Sequence, residues 1–390
     1  MKDIFVSNGL LDGLYDAVSF EEKIKIIHRA LKQHLDVIDR ISVILYDARM
    51  ESLTTFIHSG RDNPLSFYGC EIEKAPSLLQ LKKLKKPRLV NDLDLFSHGE
   101  NEHTRKIADQ GYHSSYSVPM FDGDDFLGVV FFNSYQPHGF DNKILLELNL
   151  YAQLINSLIL NKLQSTRMMV GAFKSALNLV SYKDPETGNH LERMARYSRL
   201  IAQELARSGE PGLTDEIIEH LFLFAPLHDI GKIGIPDNIL LKPAKLDDAE
   251  WKVMKTHSSI GRDIIDTIAD QIGLEAFEHI HLLRNISESH HETIDGLGYP
   301  NQLKNNEIAI ETQIVAVADI FDALTSKRPY KDAWTNAQAL DELQKLSGTK
   351  LNVDCVKVLR QKKQAVEEIQ RRFQDESHSG PHRPPHTGAV

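Results

Sequence analysis

The sequence predicts two domains: an N-terminal α+β domain built on an antiparallel sheet, a long connecting helix, and an all-α C-terminal domain. Three observations predict this. Short β-rich runs separated by turn residues are confined to the first 140 residues. From Asp141 neither proline nor glycine interrupts the chain until Gly171. After Val180 nothing alternates convincingly with period two, and the pattern is one of helices and loops. The expected units are residues 1–160, holding the sheet domain and the start of the connecting helix, residues 161–374, holding the helical domain, and a His-, Pro-, Gly- and Ser-rich tail, 375–390, expected to be disordered.

Residues 17–35 read as an amphipathic helix, with Phe20, Ile24, Ile27, Leu31 and Leu35 at helical spacing. Ile41–Tyr46 and Leu53–Ile57 read as one hairpin, Ser115–Met120 and Phe126–Asn133 as a second joined through Phe121-Asp122-Gly123-Asp124-Asp125. The runs Tyr116-Ser117-Val118-Pro119-Met120, Leu127-Gly128-Val129-Val130 and Gly139-Phe140-Asp141 resemble those of a GAF domain over about residues 20–160. That resemblance implies a sensor for an unidentified small ligand; the plainer alternative is a sheet domain that only dimerises the chain. Leu145, Leu148, Ala152, Ile155, Ile159, Lys162, Met169, Phe173 and Ala176 approximate a 3-4 spacing. A helix of this length between two domains suggests a parallel coiled coil and hence a homodimer, the alternative being a helix buried between the domains of a monomer.

The chain of 390 residues has room for two ordinary domains. A net charge of −10 argues against binding to DNA or RNA duplexes, which calls for a basic face. It leaves open a small anionic substrate, because bound metal ions supply positive charge. No basic segment followed by an apolar core opens the chain, and no run approaches the roughly 20 apolar residues that span a bilayer, so neither a signal peptide nor a membrane segment is expected. The two cysteines, Cys70 and Cys355, lie far apart in unrelated contexts and read as buried or free thiols, not as a disulfide framework or a Cys-x-x-Cys metal site, which fits a reducing cytoplasm.

Among 18 histidines, several stand beside carboxylates after residue 185. Glu186 and His190 are four apart. His228-Asp229 are adjacent, and Lys232 follows one turn later. His257 stands alone, His290-His291 closes a helix patterned by Ile280, Leu283 and Ile286, and Asp319 lies within the apolar run Ile314–Ala323. A carboxylate in such a run is costly to bury unless paired or bound to a metal. Each histidine alone is more often a hydrogen-bonded core or surface residue; eight residues of ligand type in one domain shift the balance to a metal site. Mixed imidazole and carboxylate ligands suit Fe, Mn, Ni or Zn, and the lack of cysteine ligands disfavours a structural zinc site.

His290-His291-Glu292-Thr293-Ile294-Asp295-Gly296-Leu297-Gly298-Tyr299-Pro300 matches the signature of HD-GYP domains at every specified position, and His228-Asp229 with Gly231-Lys232-Ile233-Gly234 resembles their HD half. Asp319 to Lys331 is similar to the segment that follows, so the resemblance covers about residues 165–360. One departure is Leu351-Asn352-Val353, where many members have Phe-Asp-Pro; it puts local packing in question. The resemblance implies a phosphodiesterase for cyclic di-GMP, or for the mixed cyclic GMP-AMP. It implies Asp229 as a bridging ligand, His190, His228 and Asp319 on one metal, and His257, His290 and His291 on a second. The ions would be two or three divalent transition metals, usually Fe or Mn, with three favoured because Glu186 is present.

Cyclic dinucleotides carry negative oxygens that shield phosphorus from attack. Two adjacent metals answer this with a bridging hydroxide as nucleophile and with charge stabilisation. Lys232 is the candidate proton donor or charge stabiliser, against a solvated surface lysine as the plain alternative. Gly298 would let backbone approach a ligand, Tyr299 would stack on or bond the nucleotide, and Arg328 and Lys331 would reach phosphate or guanine edges; helix capping is the plain role for Arg328. A general HD-type phosphohydrolase acting on mononucleotides, and a domain that binds without cleaving, are the rival readings.

Overall fold

The computed structural model describes residues 9, 11–16, 18–60, 69–93, 102–181, 188–271, 279–326 and 333–374. Helix α1 (Phe20–His34) starts where the Ser19 hydroxyl accepts from the Glu22 amide, three residues inside the predicted start. Six strands follow in a sheet ordered β3-β2-β1-β6-β5-β4: β1 (Arg40–Asp47), β2 (Ser52–Ser59), β3 (Gly69–Glu71), β4 (Arg88–Val90), β5 (Ser114–Asp122) and β6 (Asp125–Ser134). Both predicted hairpins are present, and β1 pairs with β6 antiparallel at the centre. The second hairpin is tighter than predicted, since its strands continue to Asp122 and resume at Asp125.

The central strands are apolar on both faces, because successive side chains point to opposite sides. Val43, Val130 and Phe132 meet Ile24, Ile27 and Leu31 of α1, while Ile44, Val129 and Phe131 meet Leu78 and Leu81 of α2 (Pro76–Leu84). A short α3 (Glu102–Ala108) precedes β5.

The connecting helix, α4, runs Asn142–Ser181, with the Asp141 carboxylate capping the Ile144 amide. Its 40 residues span about 60 Å. The stripe Leu148, Ala152, Ile155 and Ile159, expected to form a seam with a second chain, is instead buried in the sheet domain's own core, and Met169 and Val170 enter the helical core. The alternation fits an intramolecular groove as well as a coiled coil, so spacing alone could not separate them. The segment Asn142–Gly171 is also long and apolar enough to cross a membrane by length and composition, contrary to the sequence expectation. One face of that segment packs onto the sheet, while Leu146 and Leu150 are exposed.

Ten helices complete the chain: α5 (Gly188–Arg207), α6 (Asp215–Phe224), α7 (Asp237–Leu240), α8 (Asp248–Lys255), α9 (His257–Gln271), α10 (Ile280–Ser289), α11 (Ile310–Thr325), α12 (Asn336–Leu346), α13 (Val353–Gln361) and α14 (Lys363–Arg372), counted among the described residues. Their core joins Tyr197, Ile201, Leu227, Ile230, Leu283, Ile286, Val315 and Phe321. At the unusual Leu351-Asn352-Val353, Leu351 is buried and Asn352 Oδ1 caps α13 by accepting from the Asp354 and Cys355 amides. Asn352 thus serves as a helix cap at this position. Asp47 at the end of β1 accepts from Arg199 (3.2 Å) and Arg196 (3.4 Å), which fastens the sheet domain to α5. The tail 375–390 lies outside the described residues.

Candidate metal centre

Five segments converge at one end of the helical core. Helix α5 brings His190 in its first turn, and the loop after α6 brings His228 and Asp229. His257 opens α9, His290 and His291 follow α10, and Asp319 comes from the third turn of α11. The loop reaches α9 because residue 231 is glycine: a Cβ there would lie 1.8 Å from the His257 carbonyl oxygen.

Seven of the eight predicted ligands thereby come together, in two groups. Asp229, His257, His290 and His291 place one potential ligand atom each within 4.8 Å of one another, as do His190, His228 and Asp319. Asp229 stands between the groups. Its Oδ2 is 3.2 Å from His228 Nε2, and its Oδ1 is 3.4 Å from His257 Nε2 and 3.6 Å from His290 Nε2. Asp319 Oδ1 is 3.9 Å from His228 Nε2. The eighth, Glu186, lies outside the described residues, as do Arg328 and Lys331.

The imidazoles are oriented alike. Nδ1 of His228, His257 and His290 donates to the carbonyl oxygens of Ala225 (2.9 Å), Met254 (2.7 Å) and Ile286 (3.0 Å). A carbonyl only accepts, so Nδ1 carries the proton and Nε2 presents its lone pair to the group. His190 is held differently, by a 2.8 Å bond from Nδ1 to Asp322 Oδ2. Asp322 is fully buried and takes Arg193 in a fork, at 2.6 and 3.0 Å, and the Ser326 hydroxyl at 3.0 Å. Sequence reading missed Asp322 and Arg193 as site residues. The available signal was a second carboxylate, three residues after Asp319, in the same apolar run.

The electrostatics suit cations. Burial pushes the Asp229 carboxyl upward, but the neighbouring ammonium of Lys232 leads the opposing influences that hold the group well below the ordinary carboxylate range. Burial pushes His257 and His291 down, so both stay neutral, the form that binds metals. Asp229 Oδ1 is buried with no hydrogen-bond donor on it. A buried anionic oxygen facing several imidazole lone pairs calls for a cation. The donor set therefore fits divalent transition metals.

Lys232 Nζ is 3.0 Å from Asp229 Oδ2. The Tyr299 ring stacks on His291 at 4.7 Å, and the ammonium of Lys255, not singled out from sequence, lies 5.3 Å from the Tyr299 centroid. Gly298 is buried, and a Cβ there would meet Thr293 N at 2.4 Å, Glu292 Cα at 2.5 Å and His291 O at 2.6 Å. What this glycine admits is the chain's own backbone. The loop is fastened by Glu292, which accepts from the Asn301 (2.6 Å) and Leu303 (3.0 Å) amides.

Residues 174–354 match the family model described as HD domain, so the helical half carries an HD domain. Over 207 residues the chain is 41% identical to a cyclic di-GMP phosphodiesterase of Thermotoga maritima, a match covering 52% of this chain and 53% of that one. It is 40% identical over 190 residues to the cyclic di-GMP phosphodiesterase response regulator RpfG of Xanthomonas campestris pv. campestris (49% and 47%). It is 37% identical over 182 residues to the 3'3'-cGAMP-specific phosphodiesterase 2 of Vibrio cholerae (47% and 32%). The matched stretch thus spans about half or less of these relatives' length. The GAF domain of an Acinetobacter phosphoenolpyruvate-protein phosphotransferase is similar at 14% identity and a TM-score of 0.31, over 39% of this chain and 89% of that one.

Proposed function

We propose that this chain is a metal-dependent phosphodiesterase that opens cyclic di-GMP, or the mixed cyclic GMP-AMP, to a linear dinucleotide or its mononucleotides. The observation that carries this reading is Asp229, whose two oxygens face two separate groups of imidazoles 3.2 and 3.4 Å away. His190, His228 and Asp319 would hold one ion, His257, His290 and His291 a second, with Asp229 shared. Fe or Mn suits this donor set, and Glu186 is the candidate for holding a third. When bound, such ions supply a water that loses its proton near neutral pH and neutralise charge on the phosphoryl oxygens.

The chain's own groups do the rest. Lys232, held on Asp229 at 3.0 Å, would provide positive charge beside the Asp229 carboxylate and a proton for the departing ribose oxygen. Tyr299, backed by His291, offers a face for a base or a phenol for a phosphate, with Lys255 beside it. Arg328 and Lys331 would add cationic contacts to phosphate or guanine.

The names of the relatives support cyclic dinucleotides over mononucleotides as substrate. Incubation of metal-loaded protein with cyclic di-GMP, 3'3'-cGAMP and dNTPs separates the readings. Cleavage of a cyclic dinucleotide supports the proposal, cleavage of dNTPs alone supports a general phosphohydrolase, and binding without cleavage supports a receptor.

The sheet domain is proposed to sense a small ligand and to act through α4 and the Asp47 contacts to α5, whose first turn carries His190. A cleft of about 670 Å³ lies at that junction, lined by Tyr46, Phe126, Leu163, Arg196 and Phe222 among others. For a homodimer, Leu146 and Leu150 offer a seam: they stand one turn apart on α4 and are 69% and 72% exposed.

A further inference from the structure

A second histidine–carboxylate group lies in the helical domain, apart from Asp229. Glu216 and His220 stand four apart on α6, so both side chains leave the same face. His279 immediately precedes α10. These three residues place their ligand atoms within 4.8 Å of one another. Glu216 Oε1 is 3.6 Å from His279 Nε2, and the two imidazole centroids are 4.5 Å apart. Bonds of about 2.0–2.1 Å in a tetrahedral zinc site give ligand–ligand edges of roughly 3.4 Å, within reach of small side-chain rotations.

The chemistry repeats that of the first centre. His220 Nδ1 donates to the Glu216 carbonyl oxygen at 2.8 Å, which fixes the tautomer and leaves Nε2 as the lone-pair donor. Glu216 and His220 are both buried. Burial brings His220 down to about 3, so its ring is the neutral form that metals bind. A lysine also attends the carboxylate: Lys162 Nζ of α4 lies 3.3 Å from Glu216 Oε1, as Lys232 lies 3.0 Å from Asp229 Oδ2.

We propose that Glu216, His220 and His279 form a further metal site, suited to a zinc-like divalent ion, for which Lys162 of the connecting helix competes. Two imidazoles and one carboxylate, with water as a fourth ligand, make an ordinary zinc donor set. Bound there, the ion ties the start of α10 to α6 and frees Lys162 from Glu216. The far end of α10 leads directly into His290 and His291, so this site shares that helix with the first centre.

The test uses the full chain, stripped with a chelator and titrated with zinc alone, with bound zinc counted by elemental analysis after desalting. In an Asp229→Asn background, His220→Gln should lower the bound zinc by one equivalent per chain. Lys162→Met should tighten that equivalent at least about tenfold, since it removes a unit positive charge a few ångströms from the ion. Equal zinc retention with and without His220→Gln overturns the proposal. If His220→Gln fails to fold, Lys162→Met decides alone, and an unchanged zinc affinity in that variant overturns it.

Discussion

Asp229 reaches His257 with one oxygen, at 3.4 Å from Oδ1 to Nε2, while its other oxygen is turned to His228 at 3.2 Å. Asp229→Ala should therefore lower cyclic dinucleotide turnover by at least a hundredfold, beyond the roughly 10–100-fold typical of losing a ligand's outer partner. Far-ultraviolet circular dichroism of the variant should stay helical, because the surrounding core does not include this side chain. Wild-type turnover with wild-type metal content in this variant would refute the role.

Asp322→Asn should weaken metal affinity by about 10–100-fold, because His190 loses the anion that orients it. It should also lower thermal stability, since Arg193 would keep its charge in a buried site without its carboxylate. Metal titration monitored alongside thermal denaturation separates the two effects. Lost stability with unchanged metal affinity would show that Asp322 serves only Arg193.

Gly298→Ala should cost about 1–3 kcal/mol of stability, the usual range for inserting a methyl group into packed surroundings. The methyl would meet backbone of residues 291–293, which cannot rotate away. The Tyr299 ring should then shift from His291, raising KM for the dinucleotide more than it lowers metal content. A variant with wild-type melting temperature and KM would contradict the packing described for this loop.

Much of this was legible in sequence, and the rest was hidden for physical reasons. The strands and the connecting helix follow from patterns local to the chain, period two and period 3.6, and the candidate ligands from histidines and carboxylates after residue 185; their division into two groups came from the resemblance to HD-GYP domains. The partner of the α4 stripe was not legible, because Leu148, Ala152, Ile155 and Ile159 present the same spacing to a sheet as to a second helix. Asp322 was hidden because its carboxylate is matched by Arg193, 129 residues away in sequence. Glu216, His220 and His279 were hidden because Glu216 and His220 sit in an ordinary amphipathic helix, and His279 joins them only in the fold.

Acid should destabilise the metal-stripped protein through His220. Its folded-state value, about 3, lies below the ordinary 6.5, so the unfolded chain takes up a proton that the folded chain refuses. Stability is full above pH 6.5 and is lost as pH falls from there toward 3. At pH 5 the loss from this residue should be about 2 kcal/mol. Denaturant midpoints at pH 7 and pH 5 measure it, and His220→Gln should flatten the dependence. An equal slope in both proteins would contradict the burial described for His220.

The central claim is that a metal cluster organised by Asp229 cleaves a cyclic dinucleotide. Its most direct test is the rate of cyclic di-GMP hydrolysis by the chelator-stripped full chain as Fe(II) or Mn(II) is restored, with metals per chain counted in the same samples. The account predicts no activity at zero metal, a rise that saturates only when at least two ions per chain are bound, and no rise in Asp229→Ala. Hydrolysis by the metal-free protein, or saturation at a single ion with Asp229→Ala equally active, would contradict it.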